Sequence, residues 1–196
     1  MKIFLLNGPP RSGKDAAGKL FLSMLDNACI LKFAEPVKMA AHATMRMLEG
    51  EGTVPLGEAF DHCKDQSSPY FRGRTPREVY IAISEKLCKP LFGEDIFGRI
   101  MADQIRKKQA EGVENIIITD SGFQQEAEVL QDEFGDQVYV VNLYRHGATF
   151  DNDSRGRIQL EDCLTYEIRN NGTPGDLRVQ VATVLRDSEN KWVQMQ

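Results

Sequence analysis

No two of the four cysteines stand at CxxC spacing. Cys29, Cys63, Cys88 and Cys163 are far apart along the chain, which leaves no dithiol motif and fits reduced thiols in a cytoplasmic protein. His42, His62 and His146 show no ligand spacing with one another or with the cysteines, so no zinc site is expected. GxSxG and paired Cys/His signals for covalent catalysis are absent as well. No stretch reads as a signal peptide, and no apolar run approaches the length of a membrane span, so no membrane partner is expected. Positive charge is not in excess: 24 Lys and Arg stand against 29 Asp and Glu, a net charge of −5. That balance excludes a broad nucleic-acid-binding face, though a small phosphorylated substrate needs only a few local cations. Repeats and low-complexity stretches are also missing. What remains is a chain of 196 residues, 41% hydrophobic and 27% charged, enough for one domain (1–196) without disulfide or metal.

Its patterning alternates strand and helix. Lys2-Ile3-Phe4-Leu5-Leu6-Asn7 is an apolar run ending in a Gly/Pro cluster, as in a buried parallel strand. Helical spacing follows with Ala17, Phe21 and Leu25 on one face. A strand is predicted over 28–33 and a helix over 35–48. Periodicity then lapses, and 49–74 reads as a loop-rich insertion with a short helix near 58–64. Thr75-Pro76-Arg77-Glu78 is a helix start with a capping box, followed by Val79, Ile83 and Leu87 on one face. A further helix is predicted over 95–111. Asn115-Ile116-Ile117-Ile118-Thr119-Asp120 is the clearest strand. A helix from Phe123, strands over 137–143 and 166–169, the turn Asn170-Asn171-Gly172 and a last helix from Thr173-Pro174 complete the chain. The expected fold is α/β: three layers, a parallel sheet of about five strands, and ligands at the strands' carboxyl ends.

The first strand-to-helix turn carries GxxxxGK, in the run Gly8-Pro9-Pro10-Arg11-Ser12-Gly13-Lys14-Asp15. Glycines let the backbone wrap a phosphate with its N–H groups inward, and the helix N-terminus adds partial positive charge. Lys14 supplies a point charge to the β and γ phosphates. The loop thus reads as a P-loop for a nucleoside triphosphate, with Gly8, Arg11, Ser12, Gly13, Lys14 and Asp15 as its contacts. The residue after the P-loop Lys is usually Ser or Thr, whose hydroxyl binds Mg²⁺. Here it is Asp15, which either binds Mg²⁺ itself or only stabilises the first helical turn.

Other charged residues fit around that loop. Asp120 ends a strand where P-loop enzymes keep a Mg²⁺ carboxylate; the alternative is a helix N-terminal carboxylate. Arg145 sits at a strand end, near the expected nucleotide. Arg155 and Arg157 lie in a polar stretch that reads as a lid over about 145–160, closing cations over the transferring phosphoryl group, or else as a solvated loop. Arg72, Arg74 and Arg77 cluster at a helix start, a ready site for a monophosphate, with surface cations as the plain alternative. Tyr70 and Phe71 could stack on a base or anchor a loop.

The string Arg11-Ser12-Gly13-Lys14-Asp15 resembles the P-loop of the deoxynucleoside monophosphate kinases of bacteriophages, which have Asp after the Lys. Phe33-Ala34-Glu35-Pro36-Val37-Lys38, Thr75-Pro76-Arg77-Glu78, Ile118-Thr119-Asp120, the stretch 145–157 and Asn170-Asn171-Gly172-Thr173 are similar to further segments of that family. The resemblance implies a nucleoside-monophosphate-kinase-like fold, ATP with Mg²⁺, and transfer of the γ-phosphate to a deoxynucleoside monophosphate. It also implies a homodimer, a substrate contact from Lys38, and a place for Asp120 near the substrate. Where the family has an Arg shortly after the third-strand Asp, this chain has Ser121-Gly122. Two alternatives stay open: a kinase of another phosphorylated acceptor, since animal-type phosphomevalonate kinases have a related loop, and an inactive nucleotide-binding module.

Overall fold

The computed structural model describes residues 1–49, 64–67, 72–151 and 153–194. The helix expected near 58–64, most of the 49–74 insertion, and Tyr70 and Phe71 fall outside the residues described. The chain divides into two compact units, Met1–Phe33 with Gly98–Gln196, and Ala34–Phe97.

The first unit holds a sheet of five parallel strands, β1 (Lys2–Asn7), β2 (Ala28–Leu31), β3 (Asn115–Ser121), β4 (Val138–Tyr144) and β5 (Leu164–Arg169), in the order β2-β3-β1-β4-β5. β1 is central because it is apolar on both faces: Ile3, Phe4, Leu5 and Leu6 are all fully buried. Phe4 and Leu6 enter a cluster with Ala17 and Phe21 of α1 (Lys14–Met24) and with Leu177, Val181 and Leu185 of α7 (Pro174–Gln194). Ile3 and Leu5 alternate to the opposite face. Met101, Ala102 and Ile105 of α5 (Ile96–Ala110) and Ala127 and Leu130 of α6 (Gln124–Phe134) are likewise buried. The connection from β1 runs to one flank of the sheet and that from β3 to the other. The strand order therefore reverses beside β1, where α/β sheets bind their ligands. No helix among the described residues is long and apolar enough to cross a membrane.

The second unit contains α2 (Ala34–Glu49), α3 (Pro76–Ile81) and α4 (Lys89–Phe92), with a π-helical segment, Ala82–Cys88, between the last two. α3 starts as its sequence dictates: the Thr75 hydroxyl accepts from the Glu78 N–H, and the Glu78 carboxylate accepts from the Thr75 N–H. The helical face expected beyond it changes course. Val79 and Ile83 pack on buried Ala41, but Leu87 is 52% exposed. The π-helical segment is the cause, since a wider turn rotates each later residue away from the α-helical stripe. Lys89 is buried against Glu85 at 2.9 Å.

Candidate phosphate-binding site

The P-loop takes its shape from two left-handed residues. Arg11 has φ 64° and Gly13 φ 100°, so the chain turns back on itself and enters α1 at Lys14. A side chain at Gly13 would also meet the Asn170 amide, whose Nδ2 would stand 2.2 Å from the added Cβ. That amide donates to the Ser12 carbonyl at 2.9 Å and so braces the loop from the end of β5. The Arg145 guanidinium donates to the Arg11 carbonyl at 3.3 Å, which places it against the loop. Lys14 curls back, its Nζ donating to the carbonyls of Gly8 at 2.5 Å and Pro9 at 2.8 Å.

Charge converges on Lys14. Burial, then the neighbouring Arg155 guanidinium, push its pKa down to about 8, while Asp15, Asp153 and Asp120 pull it up. Asp120 stands at the end of β3 and accepts the Phe33 N–H at 2.9 Å. It does not cap α6, which begins after Phe123 without a side-chain cap. Asp15 is 76% exposed and paired with Lys32 at 3.2 Å. Asp153 grips Arg155 through two side-chain hydrogen bonds, Nε to Oδ1 at 2.9 Å and Nη2 to Oδ2 at 2.7 Å.

Arg157 is held differently. Its Nη1 donates to the Asn7 carbonyl and Asn142 Oδ1, both at 3.3 Å, and its Nη2 to the Leu143 carbonyl at 2.9 Å. The guanidinium lies 4.0 Å from the centre of the Tyr144 ring. Between the two arginines, Gly156 is pinned on both sides: its N–H donates to the Gly122 carbonyl at 2.8 Å, and its carbonyl accepts from Asn7 Nδ2 at 2.8 Å. Asn7 Nδ2 also donates to the Ser121 carbonyl at 3.1 Å. The sequence reads this stretch as a polar lid or a solvated loop; in the structure Arg157 is bonded to the ends of β1 and β4, while Arg155 is bonded to Asp153 with its stem against Gly122, just past β3.

Four buried side-chain oxygens make no hydrogen bond among the described residues: Asn7 Oδ1, Ser12 Oγ, Thr119 Oγ1 and Ser121 Oγ. All lie in the loop or at the carboxyl ends of β1 and β3. Buried polar atoms are costly without partners, so their concentration here marks a place built for polar occupants.

The first unit thus gathers Gly8, Arg11, Ser12, Gly13, Lys14, Asp15, Asp120, Arg145, Arg155 and Arg157. Lys38, Arg72, Arg74 and Arg77 belong to the second unit. There Arg77 pairs with Asp65 at 2.6 Å, Arg72 and Arg74 are exposed, and Lys38 is half-buried. Sequence reasoning missed Asn7 and Asn170 as site residues. A polar Asn closing an otherwise apolar strand was the signal for the first; Asn170 reads only as part of a turn.

No protein-family model and no curated protein matches the chain. Among solved structures, an unliganded sugar kinase from Janibacter sp. HTCC2649 aligns over 95% of this chain and 95% of its own, with 14% identity and a TM-score of 0.53. A gluconokinase from Sinorhizobium meliloti 1021 aligns over 100% of this chain and 98% of its own, with 13% identity and a TM-score of 0.47. The likeness to the sugar kinase is one of fold, an α/β fold with an all-parallel five-stranded sheet.

The lowered pKa of Lys14 gives a test of the site by titration. A phosphate binds the ammonium form, so affinity for inorganic triphosphate is expected to fall as pH rises through about 8. Fold stability should move the other way. Between about 8 and 10.5 the unfolded chain holds a proton at Lys14 that the folded chain has lost, so stability gains with pH there. Calorimetric titration and thermal melts across that range check both signs, and Lys14→Arg should flatten both.

Proposed function

We propose that the chain is an ATP-dependent kinase whose acceptor is a deoxynucleoside monophosphate. The observation that carries the reading is the convergence of Lys14, Arg155 and Asp120 at the strand-order reversal, on a loop shaped by Arg11 and Gly13. Lys14 and the loop backbone hold the β and γ phosphates, and Arg155 meets the charge that moves onto the transferring group.

Magnesium bound through a triphosphate needs only one or two protein carboxylates. Asp120 fits that requirement, since it lies within the electrostatic reach of both Lys14 and Arg155. Asp15 faces outward to Lys32 and fits a helix N-terminal role. When bound, the ion would neutralise phosphate charge and orient the γ-phosphoryl group. The acceptor phosphate falls to Arg77, Arg72, Arg74 and Lys38, as the sequence suggests.

A phosphate acceptor asks less of the site than a sugar does. A hydroxyl acceptor needs a general base near the phosphoryl group, whereas a monophosphate oxygen is already ionised. Asp15, Asp120 and Asp153 are each engaged by a cation or an N–H group.

An ADP-release assay with Mg-ATP tests the reading over a panel of deoxynucleoside monophosphates, ribonucleoside monophosphates, phosphomevalonate and sugars. Turnover with at least one deoxynucleotide is expected. Turnover confined to phosphomevalonate or a sugar would replace the acceptor, and none at all would leave a binding module.

A further inference from the structure

Asp153 receives three hydrogen bonds from Arg155: the backbone N–H at 3.0 Å and Nε at 2.9 Å, both to Oδ1, and Nη2 at 2.7 Å to Oδ2. The pair is enclosed, with side chains 24% and 14% exposed for Arg155 and Asp153. Burial alone would raise the Asp153 carboxyl, but the bonds from Arg155 hold it below the usual range. This side-on pairing uses one edge of the guanidinium. Nη1 lies outside it and makes no hydrogen bond to a described residue.

The other flank of Arg155 is set by Gly122. A Cβ there would come within 2.6, 2.7 and 2.8 Å of the Arg155 Cβ, Cγ and Cδ, so the arginine stem lies flat where any side chain would stand. The backbone beneath is fixed by the bond from the Gly156 N–H to the Gly122 carbonyl. Arg155 is thus clamped between a carboxylate and a glycine, close enough to Lys14 to repel its charge. Asp153 and Asp120 offset part of that repulsion, and a bound phosphate would offset more of it.

We propose that Asp153 is a positioning residue, holding Arg155 beside Lys14 so that the unused Nη1 edge takes the same phosphate group that Lys14 binds. The inference rests on the nucleotide reading of the loop. It goes further in assigning Arg155's aim to a carboxylate and to the glycine that replaces a side chain at position 122. Charge alone predicts the opposite outcome: removing a carboxylate from a triphosphate site should strengthen binding.

The test is binding of a fluorescent N-methylanthraniloyl-ATP with Mg²⁺ to the full chain and to four variants. Asp153→Asn is expected to weaken binding about fivefold although it deletes a negative charge, and Arg155→Ala about tenfold. Asp153→Asn with Arg155→Ala should bind no more weakly than Arg155→Ala alone, because the carboxylate acts only through the arginine. Gly122→Ala displaces the arginine stem without touching the carboxylate, and should match Asp153→Asn. It also carries the test if Asp153→Asn fails to fold by circular dichroism. Unchanged or tighter binding by Asp153→Asn, additive losses in the double variant, or unchanged binding by Gly122→Ala would each overturn the proposal. Absence of binding by the unaltered chain would instead sink the nucleotide reading itself, and the proposal with it.

Discussion

Lys14→Ala is expected to lower ATP-dependent turnover by about two to three orders of magnitude. Its ammonium is central to the site: it reaches the carbonyls of Gly8 and Pro9 and shares its surroundings with Arg155, Asp15, Asp153 and Asp120. In phosphoryl transfer the protein contributes position and charge and little covalent chemistry, so a lost cation is not made good by another group. Stability should change by no more than about 1 kcal/mol. The variant gives up two hydrogen bonds to loop carbonyls, but it also ends the repulsion between Lys14 and Arg155. Steady-state kinetics alongside a urea melt separates the two effects. A variant with normal stability and undiminished turnover would remove the loop from the chemistry.

Phe4→Ala should have the largest effect on stability, about 3–5 kcal/mol. Phe4 lies at the centre of β1, fully buried, with its ring 5.1 Å from that of Phe21 and 5.3 Å from that of Tyr139. Its removal opens a cavity where the sheet meets α1 and α7, and neighbours fixed in adjacent strands can collapse into it only in part. For a chain of this size the melting temperature should fall by roughly 10 °C. Phe4→Leu, which keeps most of the volume, should cost about 1–2 kcal/mol. Because β1 leads directly into the loop, the comparison also tests how far the site depends on the sheet. Molecules of Phe4→Ala that remain folded at low temperature should keep their affinity for ATP, since no loop contact is lost.

The sheet was legible because its strands are short apolar runs with turn residues at their ends. Ile116–Ile118 and Val138–Val141 could hardly be anything else, and the capping box at Thr75 is written in four consecutive residues. Leu87 was misplaced because an α-helical period was carried through a segment that widens to a π-helix, and no residue between 82 and 88 announces that change. The loop was legible for the opposite reason to the rest of the site: Gly8, Gly13 and Lys14 act within one continuous stretch. Asn7 and Gly156, Asn170 and Ser12, and Gly122 and Arg155 act across the fold. Each pair joins a residue at or just past a strand end to a loop residue far away in the chain, and only the folded sheet brings the two together. Arg155 and Arg157 were recognised as cations near the loop, but their anchorage was not: Arg157 donates to backbone carbonyls of β1 and β4 that carry no sequence signature, and the grip of Asp153 on Arg155 depends on the conformation of their loop.

The two donor hydrogens of the Asn7 amide are both spent, one on Ser121 and one on Gly156. That has a consequence for how this chain can be lengthened. Phe150 already belongs to the anchored stretch: its carbonyl accepts the Asp153 N–H at 2.9 Å and its ring centre lies 5.4 Å from the Arg157 guanidinium, so the only slack for an insertion before it is at 147–149. Between Asp153 and Arg157 a single added residue would shift Gly156 off its rivet and turn one arginine away from its partners. Aspartate at position 7 offers no donor, and glutamine places its amide one methylene further out. The spacing of the two arginines and the identity of the last residue of β1 therefore form one unit of inheritance, to be moved or redesigned together.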